Sequence, residues 1–303
     1  MYKKAVMVVI LAVVALSLAA LSLLAGRQEA AGGKIALIYV EGVIAGGRGQ
    51  TSLFADGGGT DALMKQLRQA KDDPSVRAVV LRINSPGGSA PAAQEVGEEV
   101  KRLRQAGKPV VASMGDVAAS GGYWLAAVSD KIYANPASLT GSIGVYIPYT
   151  NWEQLMNKLG VHSEKIKSGP YKDILSPDRG LTAAERDIIQ TMVDELYEQF
   201  VAVVAEGRNL DKETVRKLAD GRVYTGSQAK AAGLVDELGN LYDAIDGARE
   251  LAGLDADAPL IEFGRGTPWE ALFESRSDWR QLLRQQTESL LAPLAVSPLR
   301  QVE

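Results

Sequence analysis

Hydrophobic residues in this chain form one long uncharged block near the start and many shorter blocks after it. The long block covers residues 5–25, AVMVVILAVVALSLAALSLLA, with Lys3 and Lys4 before it and Arg27 behind it. Because a helix rises about 1.5 Å per residue, this block spans about 30 Å, the thickness of a bilayer core. It therefore predicts a transmembrane anchor with its amino terminus in the cytoplasm. A cleaved signal peptide is the alternative, although the apolar core of such a peptide has only about 7 to 15 residues.

The shorter blocks alternate between two periodicities. Residues 34–40, 78–83 and 109–113 are short and almost continuously apolar, which is typical of buried strands. Residues 60–71 and 90–105 carry apolar side chains at helical spacing, and a threonine stands at the start of the first to cap it. Strand, helix, strand and helix in this order favour parallel strands joined by right-handed crossovers. The pattern therefore predicts an α/β fold.

The second half of the chain continues with shorter elements. Short strands are predicted at 131–134, 143–147 and 161–166. Thr182 and Glu185 have the spacing of a capping box, which predicts the start of a long helix that ends near residue 207. One face of this helix is apolar at every fourth position and is predicted to pack in the core rather than between subunits: Ile188, Met192, Leu196, Phe200 and Val204. Further helices are predicted over 123–128 and 152–159. After segments at 211–218 and 223–225, residues 228–252 are predicted to be mainly helical.

These elements predict one α/β domain over residues 34–253. A cytoplasmic stub with the anchor, 1–27, and a linker, 28–33, precede it. Residues 254–303 are predicted to form a C-terminal helical tail. Its tryptophan-bearing stretch at 268–292 has a rough apolar face. Packing between subunits is the favoured role, and contact with a membrane surface or capping of the domain are the alternatives.

Composition excludes several classes of protein. The 303 residues include 33 Lys and Arg against 37 Asp and Glu, a formal net charge of -4, so the chain lacks the basic field of a nucleic-acid-binding protein. With no cysteine, it has no disulfide, thiol nucleophile or thiolate metal site. Its one histidine, His162, excludes a multi-histidine metal site within one chain. A serine hydrolase built on this sequence therefore needs a base other than histidine, unless His162 supplies it.

Two glycine-rich places at strand ends are candidates for chemistry. At Ser85-Pro86-Gly87-Gly88, backbone amides can approach a substrate carbonyl, although a plain strand-to-helix turn gives the same pattern. Ser120 stands among the smallest residues at the start of a helix, where its hydroxyl is sterically open. A serine that merely caps the helix is the competing interpretation.

With these motifs the chain resembles the signal peptide peptidase A family of membrane-anchored serine proteases, in its short form with one catalytic domain. Motifs in family order carry the resemblance over about residues 34–250: VEGVI (40–44), RINSPGG (82–88), MGDVAASGGYW (114–124), LTGSIGV (139–145), IKSGPYKD (166–173) and DGRVYTGSQAKAAGLVDELG (220–239). It implies a superhelical β-α fold like those of the crotonases and caseinolytic proteases, preceded here by one transmembrane helix. It also implies a catalytic serine-lysine dyad.

Carried onto this sequence, the resemblance implies that Ser120 is the nucleophile and Lys172 the general base. It also implies that the amides of Gly87, Gly88 and Gly121 bind the oxyanion of the reaction. Ser142 is implied to form a hydrogen bond with the lysine and hold it in place.

Nearby residues leave other assignments of the general base open. A lysine serves as a base only in its neutral form, which burial in an apolar site favours. We therefore expect the carboxylate of Asp173 to point away from Lys172. Lys167 is a rival base, and His162 is predicted to be a surface or strand residue whose replacement leaves turnover largely intact.

The implied reaction is hydrolysis of apolar, extended peptides, such as signal peptides left in the membrane, without a metal or cofactor. The implied setting is the extracytoplasmic side of the cell membrane, in a homo-oligomeric ring whose active sites take serine and lysine from neighbouring subunits. Two alternatives remain open: a crotonase-like enzyme acting on acyl thioesters, and a membrane scaffold that has lost catalysis.

Overall fold

The computed structural model describes residues 33–47, 51–52, 55–56 and 59–264. The predicted anchor and the tryptophan-bearing stretch of the tail lie outside the described residues. In the ranges given, no helix combines the length and the apolarity needed to cross a membrane.

Strands and helices alternate along the first half of the domain, as the hydrophobic pattern predicts. The strands of the described ranges are β1 (Lys34–Ile44), β2 (Thr51–Ser52), β3 (Ala55–Asp56), β4 (Val76–Gly88), β5 (Val110–Ala119), β6 (Lys131–Ala134), β7 (Leu139–Gly141), β8 (Val223–Thr225), β9 (Glu237–Leu238) and β10 (Leu260–Glu262). The helices are α1 (Thr60–Asp72), α2 (Ala90–Gln105), α3 (Gly121–Ala127), α4 (Glu153–Lys158), α5 (Ala183–Arg208), α6 (Lys212–Leu218), α7 (Gly226–Ala231) and α8 (Leu241–Ala252).

A mostly parallel sheet forms the centre of the domain, in the order β10-β1-β4-β5-β6-β9. All neighbours in this order are parallel, which confirms the α/β prediction. The carboxyl-terminal end of β5 also pairs with β7, and β7 pairs antiparallel with β8. The carboxyl ends of β4 and β5 therefore lie side by side, together with β7, and these are the ends that carry the glycine-rich motifs.

Helices cover both faces of the sheet. Side chains alternate along β1, so Ala36 and Ile38 pack in one cluster with α1, α2, α3 and the second half of α5. Ile35 and Leu37 face the other way, where α8 covers them. This two-sided burial explains why the central strands are apolar at nearly every position.

Several predicted elements are wrong. Residues 143–147 and 161–166 form no strand. Residues 228–252 are mainly helical as predicted, but β9 separates α7 from α8. Residues 260–262 belong to the sheet as β10 rather than to a helical tail, because the backbone of this short segment pairs with β1.

Cap predictions had mixed outcomes. The capping box of Thr182 and Glu185 is present at the start of α5. Gly59 rather than Thr60 occupies the N-cap of α1, and no side chain caps this helix. The apolar stripe of α5 divides: Phe200 and Val204 are buried in the core, but Met192 is half exposed.

Candidate active site

Ser120 lies at the sharp turn between β5 and α3. Its backbone has φ 51° and ψ -120°, a strained combination for a residue with a side chain. Its amide donates to the carbonyl of Gly141 at 2.9 Å, and its own carbonyl accepts from the amide of Trp124 at 2.9 Å, so both neighbours fix the turn. The side chain makes no capping hydrogen bond. A rigid turn therefore presents a hydroxyl that helix capping does not use.

The Pro86-Gly87-Gly88 segment at the end of β4 packs directly on this serine. A β-carbon at Gly87 would lie 2.7 Å from both the amide nitrogen of Gly121 and the β-carbon of Ser120. Gly87 has φ 99°, which also disfavours a side chain. A β-carbon at Gly88 would lie 2.1 Å from the carbonyl oxygen of Ile44. Both glycines are thus required by close backbone approach.

The three predicted oxyanion donors come together at this contact. Gly121 is the first residue of α3, so its amide lies among those that an α-helix leaves without an internal partner. The amide of Gly87 donates to the buried hydroxyl of Ser85 at 3.1 Å, a contact that the sequence pattern did not indicate. Ser85 therefore holds the backbone at the end of β4 in place.

Ser120 lines two cavities. The first, of about 270 Å³, reaches from Gly88 and Ser120 to Trp124 and Phe200, whose rings lie 5.0 Å apart. Its other walls are mainly apolar and include Ala93, Val145, Ile147 and Leu196. A cavity with such walls suits an apolar side chain or a short apolar segment.

The second cavity, of about 470 Å³, joins Ser120 to Ser142. Ser142 follows β7 with φ 51°, and its amide donates to the carbonyl of Arg222 at 2.8 Å. Asp194 and Asp220 also line this cavity. Arg222 donates to both carboxylate oxygens of Asp220 and lowers the pKa of that carboxyl to about 2.

Lys172 lies elsewhere on the surface of the chain. It is exposed, in a turn where its amide donates to the carbonyl of Gly169 at 3.3 Å, and it lines neither cavity. Among the described residues its ammonium group has no hydrogen bond or ion pair. A single copy of the chain therefore brings together Ser120, Ser142 and the glycines, but not the lysine.

The carboxylate of Asp173 is engaged away from Lys172. Arg179 donates to both of its oxygens, at 2.9 and 2.8 Å, and Lys167 donates to one of them at 2.6 Å. These donors hold the pKa of Asp173 well below its ordinary value. Lys167, the rival base, is thus held in an ion pair, and His162 is exposed and lines neither cavity.

Sequence reasoning did not assign a role to Arg179, which contacts Asp173, or to the carboxylates of Asp194 and Asp220. Their contacts are mostly with residues near in sequence, but no residue spacing in the chain marks such side-chain contacts. In the part of the chain that the structure describes, no group of three or more histidine or acidic side chains is placed to hold a metal ion.

Comparison with known proteins places residues 102–255 in peptidase family S49. The chain is 40% identical over 230 residues to Protease 4 of Haemophilus influenzae, covering 76% of this chain but 37% of that relative. It is 46% identical over 224 residues to a protein of Synechocystis provisionally named a protease, covering 74% of this chain and 76% of the relative. It is 40% identical over 242 residues to a protein of Enterococcus faecium provisionally named signal peptide peptidase SppA, covering 80% of this chain and 70% of the relative.

Proposed function

The chain belongs to peptidase family S49, a family of serine proteases, and on this premise we propose that it is an endopeptidase with Ser120 as nucleophile and Lys172 as general base. The observation that carries the proposal is the rigid turn that presents the Ser120 hydroxyl beside the Gly87–Gly121 contact and an apolar cavity. The chain spans 37% of the Haemophilus relative, so the activity proposed is that of one catalytic domain.

The proposed reaction proceeds through an acyl-enzyme. Neutral Lys172 accepts the hydroxyl proton of Ser120 as the serine oxygen bonds to the carbonyl carbon of the peptide. The negative charge on the carbonyl oxygen is stabilised by the amides of Gly88 and Gly121, and Gly121 adds the positive end of a helix. The amide of Gly87 already donates to Ser85, so Gly87 contributes through the close approach of its backbone. The lysine ammonium returns its proton to the amine as the peptide C–N bond breaks, and water activated by the lysine then releases the acyl group.

Lys172 is proposed to reach Ser120 from a second copy of the chain in a homo-oligomeric ring. Three observations support this arrangement: Lys172 is exposed, it lines neither cavity, and the cavity between Ser120 and Ser142 is open to accept a side chain. Apolar side chains exposed in the same part of the chain support burial against another copy: Tyr146, Trp152, Leu155, Leu159, Val161, Ile166 and Tyr171.

The proposed substrates are apolar, extended peptides, including signal peptides. The apolar walls of the first cavity support this class, and the provisional name of the Enterococcus relative is consistent with it. The 21-residue uncharged run at 5–25 supports a membrane anchor that holds the domain on the extracytoplasmic side. The superhelical arrangement of the crotonases and caseinolytic proteases is proposed for the fold on the sequence motifs alone.

Peptide hydrolysis by the full chain and two variants tests the dyad. We expect Ser120→Ala and Lys172→Ala to lower kcat/KM by at least about a thousandfold while thermal unfolding is unchanged, since each removes a group of the acyl-transfer step. Lys167→Ala and His162→Ala serve as matched controls and are expected to retain most activity. Activity retained in Lys172→Ala but lost in Lys167→Ala or His162→Ala would reassign the base. Hydrolysis of acyl thioesters that persists in Ser120→Ala would favour the crotonase-like alternative, and a fully inactive wild type would favour the scaffold.

A further inference from the structure

Four charged side chains next to Lys172 form one cluster, which we call the Arg179 cluster: Lys167, Asp173, Arg179 and Glu185. Arg179 is at its centre. Its Nε and Nη2 donate to Asp173 at 2.9 and 2.8 Å, and its Nη1 donates to Oε2 of Glu185 at 2.8 Å. Lys167 completes the cluster through its 2.6 Å hydrogen bond to Asp173. The guanidinium therefore joins the residue after Lys172 to the start of α5.

The Glu185 end of the cluster is fixed in the protein. Glu185 is only 1% exposed, and it also accepts from the amide and hydroxyl of Thr182 at 2.9 and 3.1 Å in the capping box of α5. Further along, the same helix packs Phe200 and Val204 in the core. The turn that carries Lys172 is therefore connected to a rigid helix.

The charges in the cluster cancel. Lys167 and Arg179 contribute two positive charges, and Asp173 and Glu185 contribute two negative charges. Lys172 is not counted in this cluster, although it directly precedes Asp173 in the chain. An Asp173 carboxylate without its partners would favour the ammonium form of the neighbouring lysine, which cannot act as a base. The cluster thus removes the electrostatic obstacle that the adjacent carboxylate creates.

We propose that Arg179 is a positioning residue, which holds the Lys172 turn against the start of α5 and cancels the charge of Asp173. The inference rests on the proposed function, since it needs Lys172 to be the base. Of the other charged groups that contact this loop, Lys165 and Asp178 form an ion pair, whereas Glu153 of α4, which accepts from the amide of Gly180 at 3.0 Å, adds one negative charge that is present in every variant compared below. Arg179 is therefore the residue whose loss changes both the position and the charge of the turn.

The pH dependence of kcat/KM for a fluorogenic apolar peptide, measured on the full chain, tests this role. We expect Arg179→Gln to lower kcat/KM about tenfold near neutral pH and to move the acid limb of the profile upward by about half to one pH unit, because an unbalanced carboxylate then favours the lysine ammonium. Asp173→Asn with Arg179→Gln restores the charge balance, so the acid limb is expected to return to the wild-type position while the rate stays low. Arg179→Lys keeps the charge but loses the forked contact, so it is expected to lower the rate without moving the limb.

Arg216→Gln is the control, since Arg216 also pairs with a carboxylate of α5, that of Glu198, in a more exposed contact further along the helix. Its profile is expected to match the wild type. An acid limb that stays in place in Arg179→Gln, while Lys172→Ala is inactive, would overturn the positioning role and leave the dyad standing. Full activity in Lys172→Ala would instead overturn the proposed function itself.

A folding failure of Arg179→Gln leaves the proposal testable. Asp173→Asn alone makes the cluster positive, so its acid limb is expected to move downward, opposite to that of Arg179→Gln. A limb that does not move in Asp173→Asn would contradict the proposal.

Discussion

Gly207 lies next to the end of α5, where this helix crosses the last residue of α3. A β-carbon there would lie 1.8 Å from the carbonyl oxygen of Ala127. We expect Gly207→Ala to reduce the free energy of unfolding by about 1 to 3 kcal/mol, because the two helices must separate to admit the methyl group. Chemical denaturation of the full chain measures the loss.

Gly46→Ala is the control for Gly207→Ala, since among the described residues, apart from its two chain neighbours, no atom lies within 4 Å of the position its β-carbon would take, and its φ is outside the left-handed region. It is expected to change stability by less than about 0.5 kcal/mol. Equal stability of the two variants would mean that α5 and α3 separate without cost.

Single residues were predictable from sequence where their role depends on a few neighbours in the chain. Ser120 and the glycines at 87 and 88 stand in short motifs at strand ends, and the structure brings these motifs together because β4 and β5 are adjacent and parallel. Ser85 and Arg179 were not assigned, although their partners are near in sequence, since the hydrogen bonds of Ser85 with Gly87 and of Arg179 with two carboxylates depend on local geometry that no residue spacing reveals. Lys172 as the base remains a prediction, because the site of one copy does not contain it.

At the scale of elements, the start of α5 carries a pH-dependent contribution to stability. Hydrogen bonds from Arg179 first, and from Thr182, lower the pKa of Glu185 from its ordinary value of 4.5 to about 2. A carboxyl whose pKa is lowered by folding stabilises the protein above its unfolded pKa, and this contribution is lost as pH falls toward the folded pKa. The contribution of Glu185 is therefore present at neutral pH and disappears between about pH 4.5 and pH 2.

We expect Glu185→Gln to have a lower melting temperature than the wild type at pH 7, because the amide can keep the capping contact but loses the charge that Arg179 binds. The difference is expected to shrink as pH falls from 5 to 2, where the wild-type carboxyl becomes neutral. Thermal unfolding across this range measures it. Glu195→Gln, at an exposed position of the same helix, is the control and is expected to show no such trend. A difference that is independent of pH would assign the effect to side-chain shape rather than charge.

Elements were predictable where one face is buried within the chain. Where apolar residues are exposed, as at 161–166, the prediction failed. The capping box and the central strands have local signals that agree with burial against the sheet. The apolar residues at 161–166 predict a strand, yet Val161 and Ile166 are exposed and unpaired in this chain. Hydrophobic periodicity reports what is to be buried, but it does not say whether the covering surface belongs to the same copy.

For the whole molecule, the proposed docking on a second copy would account both for the exposed apolar side chains of residues 146–171 and for the absence of Lys172 from the Ser120 cavities. A monomer seldom exposes so many large apolar side chains in one segment, and such segments mark interaction surfaces. If this segment docks on a second copy, it carries Lys172 with it. In that case assembly and catalysis depend on the same contact.

Subunit complementation tests this dependence directly. Ser120→Ala and Lys172→Ala are each expected to be inactive, but a ring assembled from equal amounts of both is expected to regain roughly a quarter of wild-type activity, because one site in four then receives an intact serine and an intact lysine from different copies. Co-expression with two affinity tags, followed by peptide hydrolysis, measures the recovery. A double variant, Ser120→Ala with Lys172→Ala, co-expressed with Lys172→Ala is the control and supplies no intact pair. Mixed rings of the expected mass that stay inactive would place both residues of each site in one copy, which requires the Lys172 loop to move across to Ser120.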